Sequence, residues 1–137
     1  MLKKFRNFIS VPVMMLLIAT STLLYSGYRA QLNQANQTAR SAGFELLKSL
    51  NTLQMIVDAG RYTPDQAASY IAGWTEVLLI EDMASFVSSD VDDAAQALHH
   101  LWQQEFEHLD QSSSNNLLTK AIKKTRSSLK SAIHNLH

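Results

Sequence analysis

The residues best suited to chemistry in this chain lie in one segment that contains glutamates and histidines. Glu105 and His108 are three positions apart, so a helix would place both side chains on one face. Bundles that bind two metal ions through carboxylates use this spacing, but they need a second copy of it and two further glutamates. The nearest additional ligands are His99, His100, Gln104, His134 and His137. Because this set is incomplete, the sequence predicts no metal site and no other cofactor.

Other catalytic patterns are missing from the sequence. The chain has no cysteine, which excludes thiol catalysis and cysteine-bound zinc. Its serines occur in no Gly-x-Ser-x-Gly turn, and its four glycines are too scattered to form a phosphate-binding loop. We therefore expect a protein that is not an enzyme, with a metal-dependent enzyme as the least favoured alternative.

The element that must position the rest of the chain is an apolar segment near the N-terminus. Residues 8–28 contain no charged side chain and would form a helix of about 31 Å, close to the thickness of a bilayer core. Three cations, at positions 3, 4 and 6, precede this segment, and the positive-inside rule then predicts that residues 1–7 are a cytoplasmic tail. We expect residues 8–28 to span the inner membrane of a bacterial-type envelope. Residues 29–137 would then form a periplasmic domain.

A cleavable signal peptide is the alternative for the same segment. The apolar residues up to Ile18 would then precede small residues, Ala19 to Ser21, at a cleavage site. Cleavage there would leave Leu23, Leu24 and Tyr25 at the mature N-terminus without a role, which favours an uncleaved anchor. Both interpretations export the remainder of the chain.

Residues 30–137 show helical periodicity and no run that is typical of a β-strand. Apolar residues recur every three or four positions up to Val57, and Gly60 then provides a stop. Nothing between Tyr28 and Arg40 breaks a helix. The membrane helix is therefore expected to continue into the first exported helix.

Three further helices follow in the pattern. The second begins at Thr63–Gln66, where a capping hydroxyl precedes a proline. It is apolar around most of its circumference, which indicates a central helix or one that a partner covers. The third is capped at Ser88–Asp90, and a polar loop over residues 111–115 leads to the fourth. The apolar residues aligned along one line of the second helix are Ala67, Ile71, Trp74 and Leu78.

These elements predict an all-α fold in which an N-terminal transmembrane helix continues into an exported antiparallel four-helix bundle. A three-helix domain beside a long first helix is the alternative. Gly43 and Gly73 lie inside predicted helices at a cost of about 1 kcal/mol each relative to alanine, which indicates close helix crossings.

The formal net charge of zero hides a separation of signs. Residues 62–119 contain ten acidic residues and neither lysine nor arginine, whereas residues 120–137 contain five cations and no acidic residue. One interpretation is that the basic fourth helix pairs with the acidic second and third helices at the rim of the bundle. The other is that the basic face meets anionic lipid headgroups or an acidic partner. Nucleic acid is not expected, because the domain is exported and its cations have no interleaved aromatic residues.

The predicted architecture resembles the outer half of chemoreceptor and sensor-kinase input modules, which also begin with a basic tail, a membrane helix and an extended exported helix. The resemblance covers architecture and rests on no motif. Those receptors return through the membrane to a cytoplasmic output, and this sequence has no second apolar segment long enough to do so. We therefore expect no relay of a signal through an output domain of this chain.

The leading functional hypothesis is a single-pass, membrane-anchored accessory protein whose exported domain binds another envelope or membrane protein. The alternative is a periplasmic module that senses or binds a small ligand between its helices. The lipid bilayer would contact residues 8–28, and the oligomeric state stays open between a monomer and a homo-oligomer. The candidate partner-binding residues are Trp74, Leu79, Met83, Phe86, Trp102, Lys123, Lys124 and Arg126.

Overall fold

The computed structural model describes residues 2–62 and 66–136, and over these ranges the chain is all α-helical with no strand. Helix α1 spans Leu2–Ala59, α2 spans Gln66–Ala84, α3 spans Ser89–Glu105 and α4 spans Ser112–His134. A short 3-10 helix, Phe106–His108, follows α3. The contacts divide the chain into two compact units, Met1–Ala35 and Asn36–His137.

The first unit is the N-terminal part of α1. As expected from the lack of a helix-breaking residue after Tyr28, α1 continues without interruption as far as Ala59. Among the described residues, α1 is the one helix that is long and apolar enough to cross a membrane by length and composition. None of its most apolar stretch is buried.

Hydroxyl groups in this apolar stretch are satisfied within the helix. The Oγ1 of Thr20 donates to the carbonyl of Leu16 at 2.8 Å, and the Oγ1 of Thr22 donates to the carbonyl of Ile18 at 2.8 Å. The Oγ of Ser21 also donates to the Ile18 carbonyl, at 2.8 Å. These three polar side chains therefore need no water to complete their hydrogen bonds.

The second unit has one hydrophobic core, to which all four helices contribute. The C-terminal part of α1 provides Leu46, Leu50, Leu53 and Val57, which follow the three-to-four spacing expected from the sequence. The other fully buried side chains of the core are Val77, Ile80, Ala84, Val91, Ala95, Leu98, Trp102, Leu109, Leu118, Ile122 and Leu129. Each helix therefore turns one apolar stripe inward.

Helix α4 is joined to α1 by a series of polar contacts. The Nδ2 of Asn115 donates to the Val57 carbonyl at 2.7 Å, and the Nε2 of Gln54 donates to the Oγ1 of Thr119 at 3.0 Å. Further along α4, the Nη2 of Arg126 donates to the Oδ1 of Asn51 at 2.8 Å. Near the end of the chain, the Nη2 of Arg40 donates to the Leu136 carbonyl at 2.7 Å. Successive positions of α4 thus contact successively earlier positions of α1.

Helices α2 and α3 approach each other closely at Gly73. A Cβ atom at this position would overlap the ring of Trp102, which is fully buried. The close helix crossing expected at Gly73 is therefore confirmed, and so is the one at Gly43, where a Cβ would lie 2.8 Å from the Cδ1 of Ile133. Both glycines are needed because a side chain at either position would prevent the neighbouring helix from packing so closely. An unusual backbone conformation is not the reason, since neither glycine has a positive φ.

The helix ends agree with the sequence at one position and differ at another. The Oγ of Ser88 caps α3 by accepting from the Val91 amide at 3.3 Å, as predicted. The predicted polar loop over residues 111–115 is wrong for residues 112–115, which form the first turn of α4, whereas Gln111 is the extended N-cap. Ser114 and Asn115 are buried, which favours helix over loop at these positions. The predicted cap over residues 63–65 lies outside the described residues.

Candidate interaction surfaces

Helix α2 presents an exposed apolar surface, which we call the α2 outer face. Its large members are Ile71, Leu78, Leu79 and Phe86, and their exposed fractions are 71%, 47%, 37% and 58%. Ile71 and Leu78 are seven positions apart, about two helical turns, and Leu79 is adjacent to Leu78, so these residues share one side of the helix. Phe86 lies in the turn that follows the end of α2 at Ala84. The acidic Asp82 is also exposed on this side.

The α2 outer face remains uncovered because the opposite side of α2 packs against the core. Gly73, Val77, Ile80 and Ala84 are buried and occupy the inward stripe. The apolar line predicted from the sequence contained Ile71, Trp74 and Leu78. In the structure Ile71 and Leu78 are exposed, whereas Trp74 is partly buried and packs against the core. A helix that is apolar on every side carries no periodic signal to choose between its faces. The small size of Gly73 and Ala84 was the available clue, since small residues permit close packing.

The predicted partner-binding residues of α2 fall into two groups. Leu79 and Phe86 belong to the α2 outer face. Trp74 and Met83 are partly buried and pack against the core. Trp102, on α3, is fully buried, so it supplies no surface for a partner in this conformation.

Beneath one edge of the α2 outer face, α2 and α3 share an aromatic and polar cluster. The Trp74 ring meets the rings of His99 and Phe106 edge-on, each with centroids 5.6 Å apart. The Nδ1 of His99 lies 2.6 Å from the Oε2 of Glu81. The hydroxyl of Tyr70 donates to a backbone carbonyl, that of Glu107, at 3.2 Å. These contacts orient α2 so that its opposite side remains outward.

The electrostatic surroundings of this cluster are acidic. Desolvation, followed by the nearby carboxylates of Asp110 and Glu107, raises the pKa of Tyr70 above its ordinary value of 10.0. Residues 62–119 contain neither lysine nor arginine. A cation that comes near this region is Arg61, whose Nη2 donates to the Oγ of Ser112 at 2.7 Å. The α2–α3 side of the unit is therefore the acidic side.

Helix α4 carries the second distinctive surface, which we call the α4 basic face. Lys120, Lys123, Lys124 and Lys130 are all exposed along it. The predicted partner-binding residues Lys123 and Lys124 are thus on the surface. Arg126 is different, because it is partly buried and its guanidinium binds Asn51 of α1.

The predicted pairing of α4 with the acidic helices does not occur within residues 2–62 and 66–136. Among residues 11–62 and 67–136, whose side chains the structure describes, the ion pairs are Lys48 with Glu45 at 3.9 Å and His99 with Glu81 at 2.6 Å. Neither involves α4. The α4 basic face is therefore unpaired within the described part of the chain.

The Glu-x-x-His spacing does not build a metal site in the described part of the chain. Helix α3 ends at Glu105, and His108 lies in the 3-10 helix, where the α-helical relation between the two positions is lost. No group of three or more histidine and acidic side chains that could hold a metal ion occurs among the described residues. His137 lies outside them.

An open cleft of about 460 Å³ lies between the start of α3 and the C-terminal half of α4. Its lining is about equally polar and apolar: Ser127, Ser128 and Ser131 lie on one wall and Asp90 on the other, together with the apolar Val87, Ala132 and Leu136. Its volume falls in the range of small-molecule sites.

Comparison with protein-family models, with curated proteins and with solved structures found no match to this chain. The surfaces described above are therefore the basis on which a function is proposed.

Proposed function

We propose that this protein is a membrane-anchored, non-enzymatic interaction module whose exported helical domain binds another envelope or membrane protein through the α2 outer face. The observation that carries the proposal is the exposure of large apolar side chains along α2. Monomeric soluble proteins rarely expose contiguous apolar patches beyond a few hundred Å², and larger ones mark binding sites. Phe86 and Ile71 have the size and exposure expected of anchor residues.

Anchoring through residues 8–28 is supported by two features of α1. Its apolar side chains from Val11 to Tyr28 are exposed, so they are not explained by a core in the described structure. The hydroxyls of Thr20, Ser21 and Thr22 are satisfied by carbonyls of their own helix, as a lipid environment requires. The basic residues before the segment favour a cytoplasmic N-terminus and a periplasmic domain.

An antiparallel arrangement of the four helices is supported by the order of the contacts. Later positions of α4 contact earlier positions of α1, from Asn115 at Val57 to Arg126 at Asn51, and Leu136, just after α4, contacts Arg40. The same reversed order holds for α2 and α3, where Tyr70 contacts Phe106 and Glu81 contacts His99. An antiparallel bundle directs one side of each helix outward, which leaves the α2 outer face free for a partner.

The experiment is quantitative co-purification of the tagged full-length chain from gently solubilised native membranes. Phe86→Ser should reduce recovery of the partner at least about tenfold, as expected when an interface anchor worth about 1.4 kcal/mol or more is removed. The matched control is Phe44→Ser, because Phe44 is equally large and 66% exposed but lies on α1.

Equal recovery of the same partner with wild-type chain and Phe86→Ser would overturn the proposal. Loss of the partner with both variants would also contradict the proposal, because removal of any exposed phenylalanine would then have the same effect. The helical circular dichroism of both variants should match that of the wild type, since neither side chain belongs to the core.

A small-ligand binding module is the second candidate function, and the cleft between α3 and α4 favours it. The serine hydroxyls and the Asp90 carboxylate suit a small polar ligand with several hydrogen-bonding groups. A ligand that binds the native state raises the melting temperature by mass action. A rise that is lost on Ser131→Leu, which narrows the cleft, would favour this function over partner binding.

A further inference from the structure

We propose that copies of this chain associate through the α4 basic face of one copy and the acidic side of the next. The inference goes beyond the proposed function, because it uses surfaces other than the α2 outer face. The acidic side is defined by three exposed residues, Asp93, Glu107 and Asp110.

The α4 basic face has the properties of an interaction surface rather than of a solvated rim. Its four lysines lie on exposed positions of one helix, and from Lys120 to Lys130 they extend over about 15 Å. None is within 4.0 Å of a carboxylate among the described residues. Bringing four like charges onto one helix without compensation is unfavourable, and an anionic surface would relieve it.

The acidic side has matching dimensions. Asp93 and Glu107 lie fourteen positions apart along α3 and its 3-10 extension, which corresponds to about 21 Å. Asp110 adds a third exposed carboxylate just after the 3-10 helix. These carboxylates have no lysine or arginine partner within the described residues.

A second copy is favoured over anionic lipid because it satisfies both surfaces at once. Contact of the α4 basic face with headgroups would leave the acidic side unpaired. The chain has a formal net charge of zero, so copies do not repel one another as a whole. The two surfaces of each molecule are also different, which makes the contact head-to-tail, and such contacts generate rings or open chains.

The test uses full-length chain reconstituted in vesicles of neutral phosphatidylcholine, which contain no anionic headgroups. Because the chain has no cysteine, Met55→Cys introduces one labelling site at an exposed position of α1 that belongs to neither surface. Donor-labelled and acceptor-labelled copies are mixed, and energy transfer between them is measured. We expect transfer that falls several-fold when the salt concentration rises from about 0.1 M to about 1 M, as the Debye length shortens from about 10 Å to about 3 Å.

Charge reversal identifies the surfaces. One variant carries Lys120→Glu, Lys123→Glu, Lys124→Glu and Lys130→Glu, and a second carries Asp93→Lys, Glu107→Lys and Asp110→Lys. Each variant alone should lose most of the energy transfer, because its two surfaces then carry charges of the same sign and repel each other. A mixture of the two should recover about half of it or more, since one variant retains the acidic side and the other the α4 basic face.

Lys48→Glu on α1 is the control and should leave the transfer unchanged, because this exposed lysine lies on neither surface. Unchanged transfer in either reversed variant would overturn the inference. Loss that mixing does not recover would also overturn it, as would transfer that appears only when anionic lipid is added. Helical circular dichroism checks that the exposed substitutions leave the fold intact.

Discussion

At the scale of single residues, Asn115 shows how one buried amide completes the end of a helix. Helix α1 ends at Ala59, so the carbonyl of Val57 lies in its last turn and lacks an intrahelical partner. The Asn115 amide of α4 donates to that carbonyl at 2.7 Å, in a buried environment. The hydrogen bond satisfies a donor and an acceptor that would otherwise both be buried without a partner.

Asn115→Ala should therefore destabilise the chain by about 1–3 kcal/mol, because it leaves the Val57 carbonyl unsatisfied. The matched control is Asn116→Ala, since the adjacent asparagine is exposed, and it should change stability by less than about 0.5 kcal/mol. Urea unfolding of the full-length chain, followed by helical circular dichroism, measures both. Equal effects of the two substitutions would contradict the role assigned to Asn115.

Some of these residue-level roles were predictable from the sequence and others were not. The close approach at Gly73 was predictable, because a glycine inside an apolar helix lowers stability unless a neighbouring helix packs against it. The role of Asn115 was not, because a polar residue after several serines is typical of a loop, and only the position of α1 makes its burial favourable. Long-range partners of this kind leave no local pattern in a sequence.

At the scale of elements, α2 contains one buried and one exposed isoleucine. Ile80 is fully buried in the core, whereas Ile71 is 71% exposed on the α2 outer face. We expect Ile80→Ala to reduce the free energy of unfolding by about 2–5 kcal/mol, because it removes buried contacts and leaves a cavity. Ile71→Ala should cost less than about 1 kcal/mol, since the side chain is already in contact with solvent.

This pair of substitutions tests the orientation of α2 with the same residue type on the same helix. Thermal or urea unfolding of the two variants under identical conditions measures the difference. A larger loss for Ile71→Ala than for Ile80→Ala would mean that α2 packs with the other side inward, and the α2 outer face would then not exist. Both variants retain most of the helix propensity of the segment, since alanine is a strong helix former.

The helices themselves were well predicted, and their surfaces were not. Apolar residues at three-to-four spacing located the core stripe of α1, because the polar residues between them define it. Helix α2 has no such contrast between its sides. Which side of α2 faces the core is therefore decided by packing and could not be predicted from periodicity. The unpaired state of the α4 basic face likewise depends on how far its lysines lie from carboxylates of other helices, which composition does not specify.

At the scale of the whole molecule, the proposed anchor makes a prediction about the mature N-terminus. A tag placed before residue 1 should remain on the protein in the membrane fraction, and the protein should resist extraction by alkaline carbonate. A cleaved signal peptide would instead remove the tag together with residues up to about Ser21. Western blotting for tags at both ends distinguishes these outcomes, and release of an intact chain by carbonate would contradict the anchor.

The contacts between α1 and α4 also have a consequence for biosynthesis. They join residues far apart in the sequence, such as Val57 with Asn115 and Arg40 with Leu136. The core side of α1 therefore cannot be covered by α4 until residues 115–136 have left the ribosome. Such late pairing favours slow folding, and the leucines of α1 remain open to aggregation or chaperone binding during synthesis.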